Sequence, residues 1–305
     1  MQNLFLPHAI ILEVTGRDAK RYLHARLSND IRSLAPGEGC LAAALTVQGR
    51  VQALATVLAR ADESYLVLCD GGEKDAVIAA VRRFLVADRV AVVDRSELYS
   101  IRHFAGGVLE TATLLDTQLA MPPCSWKERD LVLMFNRPRL VAAGVDLLIP
   151  RGVTPAWLGE MLTQNPLPLT SAEYCLARIK ANLPAFPEDI SEEMILLESG
   201  LTQAVSFNKG CYAGQEVIER INAYGKLPRV LGRLCFSSTA MLKNGLLERK
   251  EPVMSASEPT TVLGEIVSSA VDSSEGKVYA FAMLKNRPEI LSGKVSVRGE
   301  EGETF

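Results

Sequence analysis

The change of sequence character around Gly225 and Pro228 constrains the fold of this chain more than any other feature. Upstream, segments with helical spacing alternate with strand-like runs, whereas downstream the helical spacing almost disappears. Glycine stops helices and proline cannot continue them, so we expect a helix to end here and a new domain to follow. The tail has strand-like runs at 230–236, 262–271, 278–284 and 295–298, separated by turns. This pattern predicts a small antiparallel β-barrel over residues 227–305.

Residues 1–226 have the pattern of an α+β domain. Short connections join many of the strand-like runs, and such connections fit antiparallel pairs rather than parallel crossovers. A hairpin is predicted from residues 40–47 and 51–58, joined by Gln48-Gly49-Arg50. Further strands are predicted at 9–14, 65–69, 90–93, 98–104, 131–135 and 147–149, and helices at 19–27, 73–85, 155–162, 172–179 and 213–222.

Composition limits the classes of partner. The 305 residues are 48% hydrophobic and 23% charged, with a formal net charge of −3, as in an ordinary globular protein. No direct nucleic-acid partner is expected from this total, although a local basic patch would be hidden in it. Residues 1–12 lack a signal-peptide pattern, and no apolar run reaches the roughly 20 residues that span a bilayer. We therefore expect a cytoplasmic protein without a membrane partner.

The cysteines and histidines do not suggest a metal site. Six cysteines occur, no two of them in a C-x-x-C pair, and the three histidines are isolated from one another. Zinc and cluster sites need closely spaced ligands, so no bound metal is expected. Cys40, Cys69 and Cys235 lie in apolar strand-like runs and are predicted to be buried.

The run Lys209-Gly210-Cys211-Tyr212-Ala213-Gly214-Gln215-Glu216 is the strongest candidate for a functional site. It places a thiol between two glycines directly before a predicted helix, where the helix dipole and free N–H groups stabilise a thiolate. Lys209 adds a positive charge two residues before the thiol. Gly210 and Gly214 let the backbone bend or approach a ligand closely.

The residues that follow Cys211 also have a simpler interpretation. Gln215 and Glu216 fall in the first helical turn, where side chains bond free N–H groups, and Glu216 can pair with Arg220. A tight turn around a buried, inert cysteine would have the same residue types. The reactivity of Cys211 separates the two interpretations.

The run from Lys209 to Glu216 resembles the defining motif of the YgfZ family, which is related to the glycine-cleavage T-protein. Flanking segments are similar as well, at 197–201, 205–208 and 217–220. Segments at 14–19, 27–30, 45–51, 178–179 and 183–184 resemble motifs shared with the T-protein. The resemblance implies an α+β fold of two intertwined halves with antiparallel sheets, a folate-binding domain over 1–226, and the C-terminal barrel.

The resemblance also implies a function in the maturation or repair of iron–sulfur enzymes, including enzymes that thiomethylate tRNA. The implied partners are a tetrahydrofolate and iron–sulfur enzymes or assembly proteins. Cys211 with Lys209 would supply the reactive group, and Tyr212 belongs to the motif. By the same resemblance, the folate contacts fall on Asn29, Asp30, Arg139, Arg178 and Lys180.

Two departures from the family pattern weaken the implied folate site. Lys180 stands where the family often has a glutamate for the pterin, and lysine cannot accept the pterin's hydrogen bonds. Asp146 stands where an arginine is usual, which removes an anion contact for the folate tail. Either Glu173, Glu188 or Asp189 would replace the missing carboxylate, or the pocket has changed ligand.

Two further functions are compatible with such a fold. One is the T-protein reaction, aminomethyl transfer to tetrahydrofolate. The resemblance associates that reaction with a site containing paired aspartates, but here Ala53 and Leu54 stand at those positions. An apolar side chain cannot polarise an amine, so this activity is disfavoured. The loss of both carboxylate sites favours a third function, a non-catalytic interaction scaffold, whereas the complete cysteine motif argues against it.

Overall fold

The computed structural model describes residues 2–61, 63–105, 122–140, 144–164, 167–225, 227–237 and 246–305. The chain divides into two units. Unit 1 comprises Met1–Leu169 and Leu201–Glu219, and unit 2 comprises Thr170–Gly200 and Arg220–Phe305. The chain therefore contributes two segments to each unit. The predicted domain boundary between 226 and 227 stays a prediction, and residue 226 lies outside the described ranges.

Unit 1 is built from ten strands and three α-helices within the described residues. The strands are β1 (Gln2–Leu6), β2 (Ile10–Thr15), β3 (Gly39–Leu45), β4 (Val51–Ala59), β5 (Tyr65–Cys69), β6 (Ala91–Asp94), β7 (Tyr99–Ala105), β8 (Trp126–Arg129), β9 (Val132–Asn136) and β10 (Gly144–Pro150). The helices are α1 (Ala19–Arg26), α2 (Lys74–Arg82) and α3 (Ala156–Gln164).

These strands form two antiparallel sheets. Sheet I has the order β3-β4-β5-β2-β6 and sheet II the order β1-β7-β10-β9-β8. The chain starts in sheet II, builds all of sheet I, and then returns to complete sheet II. This path confirms the two intertwined halves that the fold class predicted.

In the described part of unit 1, two helices pack on sheet I and one on sheet II, because their apolar faces share a core with the strands. On sheet I, Tyr22 and Leu23 of α1 and Val81 of α2 belong to one buried cluster with the strand residues. On sheet II, Trp157 and Leu158 of α3 lie in a second cluster. The helical spacings in the sequence therefore correspond to real buried faces.

A buried ion cluster connects the two sheets of unit 1. Arg139, which follows β9, donates to both carboxylate oxygens of Asp146 on β10 at 2.6–2.9 Å and to both oxygens of Asp70 after β5 at 2.7 and 2.8 Å. Arg137 also contacts Asp70, at 2.7 Å. Because each charge in this cluster has an opposite partner, the cost of burying it is offset.

His103 on β7 completes the cluster. Its Nδ1 lies 2.8 Å from Oδ1 of Asp146, and both side chains are fully buried. Burial lowers the pKa of His103, so the ring is neutral at pH 7 and Nδ1–H donates to the carboxylate. Burial alone would raise the pKa of Asp146, but Arg139 and the bond from His103 hold it well below its usual value. The cluster therefore keeps its charge pattern at neutral pH.

Unit 2 is dominated by a closed antiparallel barrel. Its strands are β11 (Arg229–Phe236), β12 (Pro252–Ser255), β13 (Val262–Asp272), β14 (Lys277–Lys285), β15 (Lys294–Val297) and β16 (Glu300–Thr304). The barrel order is β11-β14-β13-β12-β15-β16, and β16 pairs back with β11. Its helices are α4 (Ser171–Ala181) and α6 (Pro288–Leu291), while α5 (Gln215–Tyr224) runs from unit 1 into unit 2. The predicted C-terminal barrel is confirmed.

Four strands were not predicted from the sequence: β1, β8, β12 and β16. The clearest case is β16, whose sequence Glu-Glu-Gly-Glu-Thr has no apolar alternation and no buried residue. This strand exists because its backbone pairs with β15 and β11 and so closes the barrel. Such pairing removes the unpaired edges that an open sheet would leave.

Neutralising Asp146 should destabilise unit 1 strongly. Asp146→Asn keeps the shape of the side chain but leaves the buried Arg139 with less negative charge, so we expect a loss of about 3 kcal/mol in unfolding free energy. Urea denaturation followed by circular dichroism measures this loss. The matched control is Asp75→Asn, at an exposed position in the first turn of α2. Equal stability of the two variants would contradict a structural role for the cluster.

Candidate functional site

The motif loop, residues 209–214, presents the thiol of Cys211 to solvent. The chain has six free cysteines, all of them described, and Cys211 alone is exposed. Cys69, Cys124 and Cys235 are buried. The loop leads directly into α5, so the predicted helix after the thiol is confirmed. Cys211 is therefore not buried, and its reactivity stays a prediction.

Lys209 is the first residue of the motif loop, and its side chain is buried beneath the loop. Its ammonium donates to the carbonyl oxygens of His24, Leu27 and Asn29, the latter two at 2.6 and 2.8 Å. A lysine has three N–H donors, so these bonds use all of them. The ammonium also lies 4.9 Å from the centre of the Tyr212 ring. Lys209 thus anchors the motif loop to the end of α1.

The charge of Lys209 survives its burial. Desolvation lowers the pKa of Lys209 to about 8, while Asp30 opposes this shift. At pH 7 the side chain is therefore still mainly protonated. The predicted role of Lys209 as a charge beside the thiol stays a prediction, and its carbonyl contacts give it a positioning role.

Gly214 brings the motif loop against the β3–β4 hairpin. Its φ is +87°, and a Cβ at this position would lie 2.6 Å from the carbonyl oxygen of Thr46 and 3.0 Å from Cα of Gly49. Gly49 has a φ of +74°, and a Cβ added there would lie 3.4 Å from the side chain of Val217 on α5. Only glycine fits both the backbone conformation and the space at Gly214. A Cβ added at Gly210, by contrast, would meet no atom within 4 Å.

The segment after α1 lies beside Lys209. The side-chain amide of Asn29 donates to the carbonyls of Leu41 and Gln203 at 2.7 and 2.9 Å. Asp30 accepts backbone N–H bonds from Arg32 and Ser33 at 2.9 and 3.3 Å. Both side chains therefore fold the turn after α1, and their predicted contact with folate stays a prediction.

Two buried polar atoms of the site have no partner among the described residues: the hydroxyl of Tyr212 and Oε1 of Glu219. Burial first, and then the nearby charge of Glu219, raises the pKa of Tyr212 to about 12. The hydroxyl therefore stays protonated at neutral pH. Gln215, Glu216 and Arg220 lie on α5, as predicted, with Glu216 and Arg220 exposed.

Arg139 does not present a free charge. The family resemblance implied a folate contact for it, but in the structure its guanidinium is buried and bonded to Asp70 and Asp146. Asp146, at the position of the usual family arginine, is one of these partners. Residue 143, which precedes this part of the family segment, lies outside the described residues.

Arg178 and Lys180 lie on α4 in unit 2, each with carboxylate partners. Arg178 bonds Asp189, and Lys180 bonds Asp272 and Glu275, the latter at 2.6 Å. Partial burial tends to lower the pKa of Lys180, but the hydrogen bonds to these carboxylates raise it, and the net shift is upward. Lys180 therefore attaches α4 to the turn between β13 and β14.

The alternative pterin carboxylates are also engaged. Asp189 is fully buried and accepts from the Ala185 N–H at 2.8 Å and from the Ser268 hydroxyl at 2.6 Å. Glu173 closes a capping box with Thr170 at the start of α4. Glu188 remains as an exposed carboxylate.

The sequence interpretation missed the partners of these charges. Asp70 pairs with Arg139, which is 69 positions away in the sequence, and Asp272 pairs with Lys180, which is 92 positions away. An aspartate at the end of a strand gives no short-range signal of such a pair. In the described residues, no group of three or more His, Cys, Asp or Glu is placed to hold a metal ion. None of the described helices is long and apolar enough to cross a membrane.

Known proteins resemble the chain in sequence and in fold. No family model matches it. A Klebsiella pneumoniae protein named tRNA-modifying protein YgfZ is 24% identical over 76% of this chain and 71% of its own length. A chloroplastic protein of Arabidopsis thaliana, named as a transferase, is 24% identical over 75% of this chain but only 54% of its own length. This chain thus spans about half of that plant relative.

A solved structure shows the fold. The glycine cleavage system aminomethyltransferase T from Bartonella henselae superposes with a TM-score of 0.81 at 15% identity, covering 99% of this chain and 84% of that one. The chain resembles the YgfZ proteins and has the T-protein fold.

Replacing the two motif glycines should have opposite consequences. Gly214→Ala forces a left-handed backbone and a contact with Thr46, so we expect a loss of at least about 1 kcal/mol in unfolding free energy. Gly210→Ala, in open space, should stay within about 0.5 kcal/mol of the native chain. Thermal and urea denaturation measure both. Similar losses in the two variants would disprove the close approach between the loop and the hairpin.

Proposed function

We propose that this chain is a YgfZ-like protein that assists the maturation or repair of iron–sulfur enzymes, and through them tRNA modification, by a reactive thiol at Cys211. The observation that carries this function is the exposed cysteine on a loop that Lys209 and Gly214 hold in place. Its partners would be iron–sulfur enzymes or assembly proteins, and its compartment the cytoplasm.

The other cysteines are poor competitors for this role. Burial raises the pKa of Cys40 and of Cys69 to about 12, so both remain thiols at neutral pH. The thiolate is the nucleophile and metal ligand in cysteine chemistry, and it must also be reachable. Cys211 meets the condition of access, and it lies four residues before α5.

The relatives support the link to RNA modification. The alignment with a protein named for tRNA modification covers 76% of this chain. Transfer of a function at 24% identity depends on the site, because one fold supports many functions. The site that supports the transfer here is the motif loop.

A tetrahydrofolate ligand belongs to this proposal by resemblance alone. Arg139, Arg178 and Lys180 each have carboxylate partners in this structure, so the residues assigned to the folate do not fit that role as they stand. A folate carboxylate would have to displace an internal ion pair. No step of the proposed function is therefore derived from a folate.

Aminomethyl transfer remains the disfavoured alternative. Ala53 and Leu54, at the positions of the T-protein acids, lie on β4 and are buried. Neither side chain supplies a carboxylate to hold the amine. The exposed thiol also favours chemistry at Cys211 over a scaffold without chemistry.

Cys211 should be the fastest cysteine to react with a thiol reagent, because it is the exposed one. Labelling the native chain at pH 7 and mapping the modified peptide should show Cys211 before any other. Cys211→Ser should remove this phase, whereas the control Cys235→Ser should keep it. A Cys211 rate no faster than that of a model peptide would support the inert interpretation.

The same pair of variants tests the function in a bacterium that lacks its own YgfZ protein. The native chain and Cys235→Ser should restore tRNA thiomethylation, and Cys211→Ser should not, at equal amounts of folded protein. Restoration by Cys211→Ser would remove the thiol from the proposed function.

A titration with tetrahydrofolate, followed by calorimetry, tests the ligand separately. Saturable binding is the outcome that the resemblance implies, and Lys180→Ala should change it little, because the Lys180 ammonium is already paired. No saturable binding at high micromolar concentration would exclude the folate while leaving the thiol function in place.

A further inference from the structure

Unit 1 has a basic surface that the negative total charge hides. Its members, together called the basic patch, lie before α1, on α1, at the end of α2 and on the following segment: Arg17, Arg21, Arg82, Arg83 and Arg89. All five side chains are exposed. Two aspartates, Asp18 and Asp88, lie among them, so this surface has a positive excess in a chain whose net charge is −3.

Specific contacts hold these segments together. The hydroxyl of Tyr22 on α1 donates to the carbonyls of Val81 and Arg83 at 2.6 and 3.1 Å. Asp18 accepts the backbone N–H of Arg89 at 2.9 Å, and Arg21 bonds Asp88. The arginines of α1 and those of residues 82–89 therefore form one continuous surface.

The arginines of the patch are only partly neutralised. Arg17 lies 3.9 Å from Asp18, and its side chain is 64% exposed. Arg83 and Arg89 have no carboxylate partner among the described residues. Exposed guanidinium groups without internal partners bind phosphate oxygens well, through paired hydrogen bonds.

An aromatic ring lies within the patch. Phe84 is 58% exposed, and the guanidinium carbon of Arg83 lies 5.4 Å from its ring centre. Val86, two residues on, is 91% exposed. Unpaired nucleic-acid bases stack on such rings and on arginine planes, while the surrounding cations bind the phosphates.

We propose that the basic patch binds RNA through its phosphates, with an unpaired base stacked on Phe84. This surface gives the proposed role in tRNA modification a direct RNA contact, and its biological meaning rests on that role. The ring distinguishes RNA with unpaired bases from an acidic protein, which would use the charges alone. The sequence expectation of no direct nucleic-acid partner was based on total charge, which cannot report a local surface.

Fluorescence anisotropy with a labelled single-stranded RNA of about 12 nucleotides tests the charges. Binding by the full chain should weaken about 20- to 100-fold between 50 and 200 mM salt, as expected for three to five phosphate contacts. The double variant Arg17→Glu/Arg83→Glu should lower the affinity at least tenfold. Its control, Lys127→Glu/Lys294→Glu, changes the net charge equally at two exposed lysines and should have less than a threefold effect.

The ring is tested by Phe84→Ala, which should weaken single-stranded RNA binding at least about fivefold and duplex RNA binding less. Polyglutamate and anionic vesicles are the competing occupants. Equal binding of either one, equal effects of the two double variants, or no effect of Phe84→Ala would overturn the proposal. Circular dichroism shows whether each variant is folded.

RNA binding and the thiol function can fail independently. The anisotropy assay compares the native chain with Cys211→Ser, which removes any contribution of the thiol, and the patch variants keep Cys211. RNA binding that persists in this variant while thiomethylation is not restored would support the patch and the thiol together. Loss of RNA binding only in the patch variant, with labelling of Cys211 unchanged, separates the surface from the site.

Discussion

One buried ammonium group holds the candidate site together. The last carbonyls of a helix have no partner within the helix, and Lys209 satisfies the carbonyls of His24, Leu27 and Asn29 at the end of α1 and in the turn that follows. The same residue begins the motif loop. The same three hydrogen bonds therefore fix both the end of α1 and the backbone that precedes Cys211.

The charged positions that depart from the family pattern have acquired internal partners. Asp146, in place of an arginine, bonds Arg139, and Lys180, in place of a glutamate, bonds Asp272. Each substitution reverses a charge and is matched by an opposite charge nearby. Both residues therefore have a structural role in this chain as members of internal ion pairs.

The sequence predicted what depends on neighbours along the chain. The strand Tyr65–Cys69 was predicted with its observed bounds, since five consecutive apolar residues are bounded by polar ones. The helix predicted at 213–222 begins instead at Gln215, because Gly214 has a left-handed backbone. Contacts between distant segments gave no signal in one sequence. The hydrogen bonds of Lys209 to the end of α1 are contacts of this kind. The placement of Arg17 and Arg83 on one surface also depends on such contacts.

The close approach of Gly214 to Thr46 and Gly49 has a consequence for engineering this fold. The hairpin tip and the cysteine loop share one contact surface with no room for a side chain between them. A chimera that transplants residues 209–216 onto another scaffold would bring only half of that surface. The loop is portable only together with the tip of the β3–β4 hairpin, as a paired module of two distant segments.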